Sequence, residues 1–181
     1  MKFLIRWVIP TFLLAAILHL FSIWFFPVIA SSVGAGLIRK SGGVEWNEFY
    51  HFSLPTADSG EIMASPDIIY SFASYDVAKG TVRLHCVIPD TDNYWSVSLY
   101  DWNAANFFVE NDLTAPTHEF VLIITESSAR YQPRGNERVV VSPTAKGMVF
   151  IRSVVSDRDN KEELALITAA QKKSTIEPLV P

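Results

Sequence analysis

The sequence is short of sulfur and, at its start, of charge. Cys86 is the single cysteine in 181 residues. No intramolecular disulfide is available, so a stapled secreted scaffold is excluded. Residues 7–38 contain no charged side chain, and no acidic residue precedes position 41. The remainder, 41–181, carries 11 basic against 19 acidic residues, a net charge of −8. Nucleic-acid phosphates demand a basic surface, so nucleic acid is not an expected partner. An anionic cytoplasmic leaflet would repel such a domain as well. Gly-rich phosphate loops are missing, because the "GAG" at 34–36 does not stand between a strand and a helix. No G-x-S-x-G nucleophile elbow occurs. His51, His85 and His118 are scattered, without i, i+4 spacing or a second cysteine beside them. Those spacings do not fit a structural zinc site, and neither metal nor cofactor is expected.

What is present begins with a long apolar run over 8–30. About 20 apolar residues suffice to cross a bilayer as a helix. Pro10 and Pro27 sit near its ends, where a helix tolerates proline best. His19 is the one ionisable group inside it, and with no charged partner in the run it reads as a tolerated polar residue. Two readings compete. One is a cleaved signal peptide with Val28, Ile29 and Ala30 at the cleavage site. The other is an uncleaved anchor. Signal cores usually have about 7–15 apolar residues, and this run is longer, which favours the anchor. Lys2 and Arg6 flank it on one side, Arg39 and Lys40 on the other. That bias is slight, and it is read as N-terminus inside, with the rest beyond the cytoplasmic membrane, periplasmic or extracytoplasmic. The division is then 1–40, anchor and start of a linker, and 41–181, an exported β-rich domain.

Residues 31–43 are rich in Gly and Ser and read as a short flexible linker. "VEWNEFYHF", 44–52, is either a short helix or a first strand. "SLPTADSG", 53–60, is a loop by composition. Strand patterns then follow at 68–77, 81–89, 94–102, 119–125, 137–142 and 147–155. Turns at 78–80 and 90–93, and Pro116, Pro133, Gly135 and Pro143, separate them. The clearest alternation sets Val82, Leu84, Cys86 and Ile88 against Thr81, Arg83, His85 and Val87, as in a half-buried antiparallel strand. Cys86 on the apolar side reads as a buried, inert thiol. A helix is predicted over 157–173, with acids in its first turn, lysines in its last, and Leu164, Ile167 and Ala170 or Gln171 on its apolar face. The expected fold is mainly β: an N-terminal transmembrane helix, an antiparallel β-sandwich or jelly-roll-like domain, and a C-terminal helix.

Chemistry is harder to find. The acid pairs Asp90–Asp92, Asp157–Asp159 and Glu162–Glu163 lie in turns or at a helix start, where acids serve local structure. Aromatics are the unusual feature. Tyr70, Phe72, Tyr75, Tyr94, Trp95, Tyr100, Trp102, Phe107 and Phe108 crowd one stretch. Half-buried sheets favour such residues for packing alone. The functional alternative is an aromatic-lined pocket for an apolar or sugar-like ligand. Its candidate residues are Asp67, Tyr70, Tyr94, Asp101, Trp102 and Arg152. In an enzyme, Asp67, Tyr70, Asp101 and Arg152 would serve as acid, donor, acid and anion clamp.

The stretch 65–108 resembles the bacterial domain-of-unknown-function 1254 family. The features that carry the resemblance are Pro66, Tyr70-Ser71, Asp76 with Gly80, Pro89-Asp90, the aromatic strand from Tyr94 to Asp101, and Asn106-Phe107. Gly147 through Ser153 resembles a further strand of the family. The resemblance covers about 44–175. Relatives commonly carry Asn-x-Asp-Thr before the tyrosine, where this chain has Asp67-Ile68-Ile69. The resemblance implies a mostly β domain, exported or membrane-attached, with no assigned reaction. Many relatives continue into a second domain, of the domain-of-unknown-function 1214 family, and this chain ends at Pro181 without it. The expectation is therefore a binding or assembly module paired with a companion membrane-anchored protein. The alternatives are an envelope-associated enzyme and a small-ligand carrier.

Overall fold

The structure, a computed structural model, describes residues 2–56, 65–115 and 117–179. The second half of the loop expected over 53–60, the separator Pro116 and the terminal Pro181 lie outside the described residues. Helix α1 runs Lys2–Gly42 and passes through both Pro10 and Pro27. Proline removes a backbone donor from such a helix. Elsewhere along it, hydroxyls bond back to carbonyls of the preceding turn. Thr11 Oγ1 donates to the Trp7 carbonyl at 2.8 Å, Ser22 to His19 at 2.8 Å and Ser32 to Val28 at 2.7 Å.

The helix does not stop at residue 30. The stretch that reads as a linker continues it, because one side docks onto the domain. Ser31 and Ala35 are 5% and 2% exposed. Their small side chains let the helix approach the sheet. At Gly42 an added Cβ would overlap the Tyr50 ring. Gly43 then ends the helix at φ +65, with the Val44 amide donating back to the Arg39 carbonyl at 3.1 Å. That is the left-handed glycine stop expected at a helix C-terminus.

The strands are β1 (Phe49–His51), β2 (Ile68–Asp76), β3 (Val82–Val87), β4 (Trp95–Asp101), β5 (Asn106–Asn111), β6 (Glu119–Thr125), β7 (Arg138–Val141), β8 (Lys146–Val154) and β9 (Thr175–Pro178). They form a five-stranded sheet, β1-β2-β8-β4-β5, and a four-stranded sheet, β7-β6-β3-β9. Every described pair is antiparallel except β6 with β7, which run parallel. The antiparallel expectation is corrected at that one pair. Strands β5 and β9 also lie outside the strand pattern read from the sequence. Both are short edge strands whose pairing comes from β4 and β3.

Side chains alternate across each strand, so each sheet has an inner and an outer face. Ala73, Tyr75, Val97, Leu99, Val149 and Ile151 point inward from the first sheet and meet Val82, Leu84, Cys86, Leu122, Ile124 and Ile176 from the second. Helix α2 (Lys161–Lys173) covers one end, with Ile167 against Ile69 and Val155. It begins later than the sequence pattern suggests, at the Asn160 cap, whose side chain accepts from the Glu162 and Glu163 amides. Glu163 anchors this end. Its carboxylate accepts from the Ser156 amide (2.6 Å), the Ser156 hydroxyl (2.9 Å), the Asp157 amide (3.3 Å) and Asn93 Nδ2 (2.6 Å).

Candidate functional site

The outer face of the five-stranded sheet gathers the polar and aromatic residues. In register across β2, β8 and β4 stand Tyr70–Arg152–Ser96, then Phe72–Phe150–Ser98, then Ser74–Met148–Tyr100. The face has two zones. Toward the Asp101 end, α1 lies on it: Ala35 and Ile38 pack with Phe72, Met148, Phe52, Tyr100 and Trp102. Toward the other end, where no helix among the described residues is packed on the face, stands Arg152, partly exposed.

Arg152 is half-buried among hydroxyls and rings. Nη1 donates to Ser98 Oγ at 3.2 Å and Nη2 to the Tyr100 hydroxyl at 3.3 Å. Its guanidinium carbon lies 5.5 Å from the centre of the Phe150 ring, which Tyr100 meets edge-on. Among the described residues it has no carboxylate partner. A guanidinium carries five donors, so its capacity is only partly used.

The six residues singled out from the sequence divide. Tyr70 and Arg152 are brought side by side. Tyr94 lies on the same face one step toward the sheet end, 46% exposed, its carbonyl accepting from the Val154 amide at 2.9 Å. Trp102 belongs to the α1 seam, where Nε1 donates to Ser32 Oγ at 3.0 Å. The two acids are kept apart. Asp67 precedes β2 and pairs with Arg158 at 3.6 Å. Asp101 sits at the far end, on the inner side, and holds the β4–β5 turn by accepting from the Asn103 and Ala105 amides at 2.8 and 2.9 Å. Eight strand steps of about 3.3 Å separate the two ends by roughly 26 Å. The histidines are also dispersed. His51 Nδ1 meets Ser71 Oγ at 2.9 Å, and burial holds its pKa below the usual range. His85 Nε2 meets Glu119 at 2.7 Å on the other sheet.

One further feature stands at the edge of this sheet. Strand β5 is a free edge, hydrogen-bonded to β4 on one side alone among the described strands. Phe107 and Phe108 are half-buried there, Val109 is 48% exposed, and Leu113 in the following turn is 87% exposed. Open edges of this kind are templates for pairing. The apolar run at 107–109, between the turn after Asp101 and the turn at 112–114, is the signal that could have found it.

A family model described as protein of unknown function (DUF1254) matches residues 46–178. The chain belongs to this family. The match covers the β domain and leaves α1 outside. No curated protein matches the chain. Two solved structures align with the chain, the first of them similar in fold. The VPA0106 protein of Vibrio parahaemolyticus aligns with TM-score 0.68 and 14% identity, over 87% of this chain and 36% of its own. An uncharacterized protein from Burkholderia cenocepacia aligns with TM-score 0.47 and 15% identity, over 70% of this chain and 36% of its own. The chain thus spans about a third of the length of the solved structures it matches. Ahead of the DUF1254 domain, α1 is long and apolar enough to cross a membrane; its most apolar 18-residue stretch has mean hydropathy 2.3 and is not buried by the domain.

Proposed function

We propose that this DUF1254 chain is a membrane-anchored binding module. Helix α1 crosses the cytoplasmic membrane, and the β domain, on the extracytoplasmic side, docks a companion membrane protein along β5. The carrying observation is the free β5 edge with its exposed Val109 and Leu113. An unpaired edge flanked by exposed apolar residues favours strand addition by a partner. The charge-free run at 7–38 and the acidic remainder support the anchor and the exported side. In VPA0106 this fold occupies 36% of the chain, so there it is joined to further polypeptide.

The test is photo-crosslinking in native membranes from position 109 of the full chain, with position 161 on exposed α2 as control. One discrete heterologous adduct from 109, absent from 161, is the expected result. Uncrosslinked chain at both positions would defeat the proposal. An adduct of twice the chain's mass would replace the companion by a second copy.

A second reading rests on Arg152, which lacks a carboxylate partner among the described residues. A small acid carried or turned over on the open face would use Arg152 as anion clamp, with Tyr70 and Tyr94 beside it. Thermal stabilisation of the protein by a carboxylate compound, lost in Arg152→Gln, would support it. Equal stabilisation of both proteins would remove it.

A further inference from the structure

We propose that the foot of the domain, where α1 ends, is a binding site for the phosphate of an anionic phospholipid, formed by Arg39, Lys40 and Lys146 around Trp46 and Trp102. It rests on the reading of α1 as a membrane span. The Arg39 guanidinium carbon lies 4.2 Å from the centre of the Trp46 ring, and Lys146 Nζ lies 5.1 Å from the same ring. Trp46 and Trp102 stand 5.5 Å apart at 39°. Arg39 Nε makes a 3.4 Å bond to the Ala35 carbonyl. Among the described residues none of the three cations has a carboxylate partner. Arg39 and Lys40 line a hollow of about 460 Å³ with Gly43, Val44 and Glu45. Glu45 is the acid in that hollow, and its backbone amide is held by the Glu48 carboxylate at 2.9 Å.

The depth of this cluster follows from the length of α1. Arg6 and Arg39 bracket the charge-free run, 33 residues apart. At 1.5 Å per residue that is about 50 Å, against roughly 40–45 Å for a bilayer with its headgroups. The common tilt of about 20° shortens the span to roughly 47 Å. Long cationic side chains cover the remainder by reaching inward. Both cation groups then stand at headgroup depth. Ser32, bonded to Trp102, lies seven residues or about 10 Å deeper than Arg39, at the hydrocarbon boundary where indoles concentrate. Val33 and Leu37, 55% and 59% exposed on the side of α1 away from the domain, face lipid in this placement. The domain as a whole is acidic, so a basic foot is the part that an anionic surface attracts.

The experiment measures phospholipids that co-purify with the full-length protein in mild detergent, for wild type, Arg39→Gln/Lys146→Gln and the charge-conserving Arg39→Lys. Carbonate extraction of membranes is run in parallel. Wild type is expected to resist extraction and to be enriched in phosphatidylglycerol over phosphatidylethanolamine. Each lost cation is expected to lower that enrichment by about fivefold. Arg39→Lys should keep it. If the double variant stays inserted with unchanged enrichment, the headgroup site is wrong and the span stands. If wild type is released by carbonate, the span fails and the site with it. Binding of inorganic phosphate by the delipidated protein, without lipid enrichment, would also overturn the proposal in favour of a free anion.

Discussion

Arg138→Met should cost this fold about 2–3 kcal/mol. Arg138 on β7 forms an ion pair with Glu110 on β5, joining the two sheets at their edges. The Glu110 side chain is 4% exposed and the Arg138 side chain 43%. Removing one partner of a fully buried pair typically costs about 3–5 kcal/mol, because a bare charge is left behind. Exposed pairs are worth about 0–1 kcal/mol. A buried acid with a half-exposed base falls between, nearer the buried limit, since the stranded group is the desolvated one. Methionine keeps an unbranched stem beside Phe108, whose ring lies 5.4 Å from the guanidinium, so the loss is mainly charge. Urea unfolding of the full chain in detergent, read by core Trp95 and the other indoles, is the assay. With a slope of about 1–3 kcal/mol/M, the midpoint should fall by roughly 1–2 M. Glu110→Gln leaves no bare carboxylate and should cost less, about 1 kcal/mol. If Arg138→Met proves no worse than Glu110→Gln, the stranded-charge reasoning is refuted.

Three further outcomes are expected. Burial alone would raise the Glu163 pKa, but the Ser156, Asp157 and Asn93 bonds outweigh it and hold the carboxyl below its ordinary value. A depressed acid adds stability that is present above its unfolded pKa near 4.3 and is lost as pH falls through the folded one. Thermal unfolding of wild type should therefore weaken below about pH 4.5, while Glu163→Gln is less stable at pH 7 and flatter in acid. A parallel fall in both proteins would rule this out. At Gly147 an added Cβ would overlap the Tyr75 hydroxyl and lie 2.6 Å from the Tyr100 carbonyl. Gly147→Ala should thus destabilise by about 1–3 kcal/mol, and an unchanged melting temperature would contradict the close approach. Burial pushes the Cys86 thiol well up, so thiol reagents should modify it in denaturant and not in the native protein. Fast native labelling would reveal local opening of β3.

The sequence pattern reads well where local rules and tertiary burial agree. The Val82–Leu84–Cys86 alternation is buried as expected because β3 lies between two partners and over one core. The cap and charge pattern near Asn160 marks α2 for the same reason. It misleads at 31–42, where glycine and serine usually mean a linker. There the small residues serve helix-on-sheet docking, which is visible only once the sheet is present. Edge strands β5 and β9 depend on neighbours rather than on their own length. The site divides likewise. Asp101 belongs to a local turn that "DWNAAN" already suggests. The Tyr70–Arg152 adjacency requires the β2–β8 register, set by residues some 80 positions apart in sequence.

That register also ties the two functional readings together. Val109 on β5 is the partner of Ser98 on β4, and Ser98 accepts from Arg152 on β8. Two strand spacings of about 4.8 Å put the Arg152 backbone roughly 10 Å from the free edge, and its guanidinium reaches over β4 toward that edge, on the same outer face, to bond Ser98 and Tyr100. A protein laid along β5 can therefore reach Arg152 with an acidic side chain, whereas a small acid at Arg152 needs no contact with β5. Arg152→Gln discriminates between these. If a partner's carboxylate neutralises Arg152, the variant should weaken the position-109 adduct several-fold, since a buried charge partner is lost. If Arg152 serves a separate small ligand, the adduct should persist at wild-type yield while carboxylate-induced stabilisation disappears. An adduct and a stabilisation both untouched by the substitution would leave Arg152 with no binding role, and the β5 edge would then carry the module's function without it.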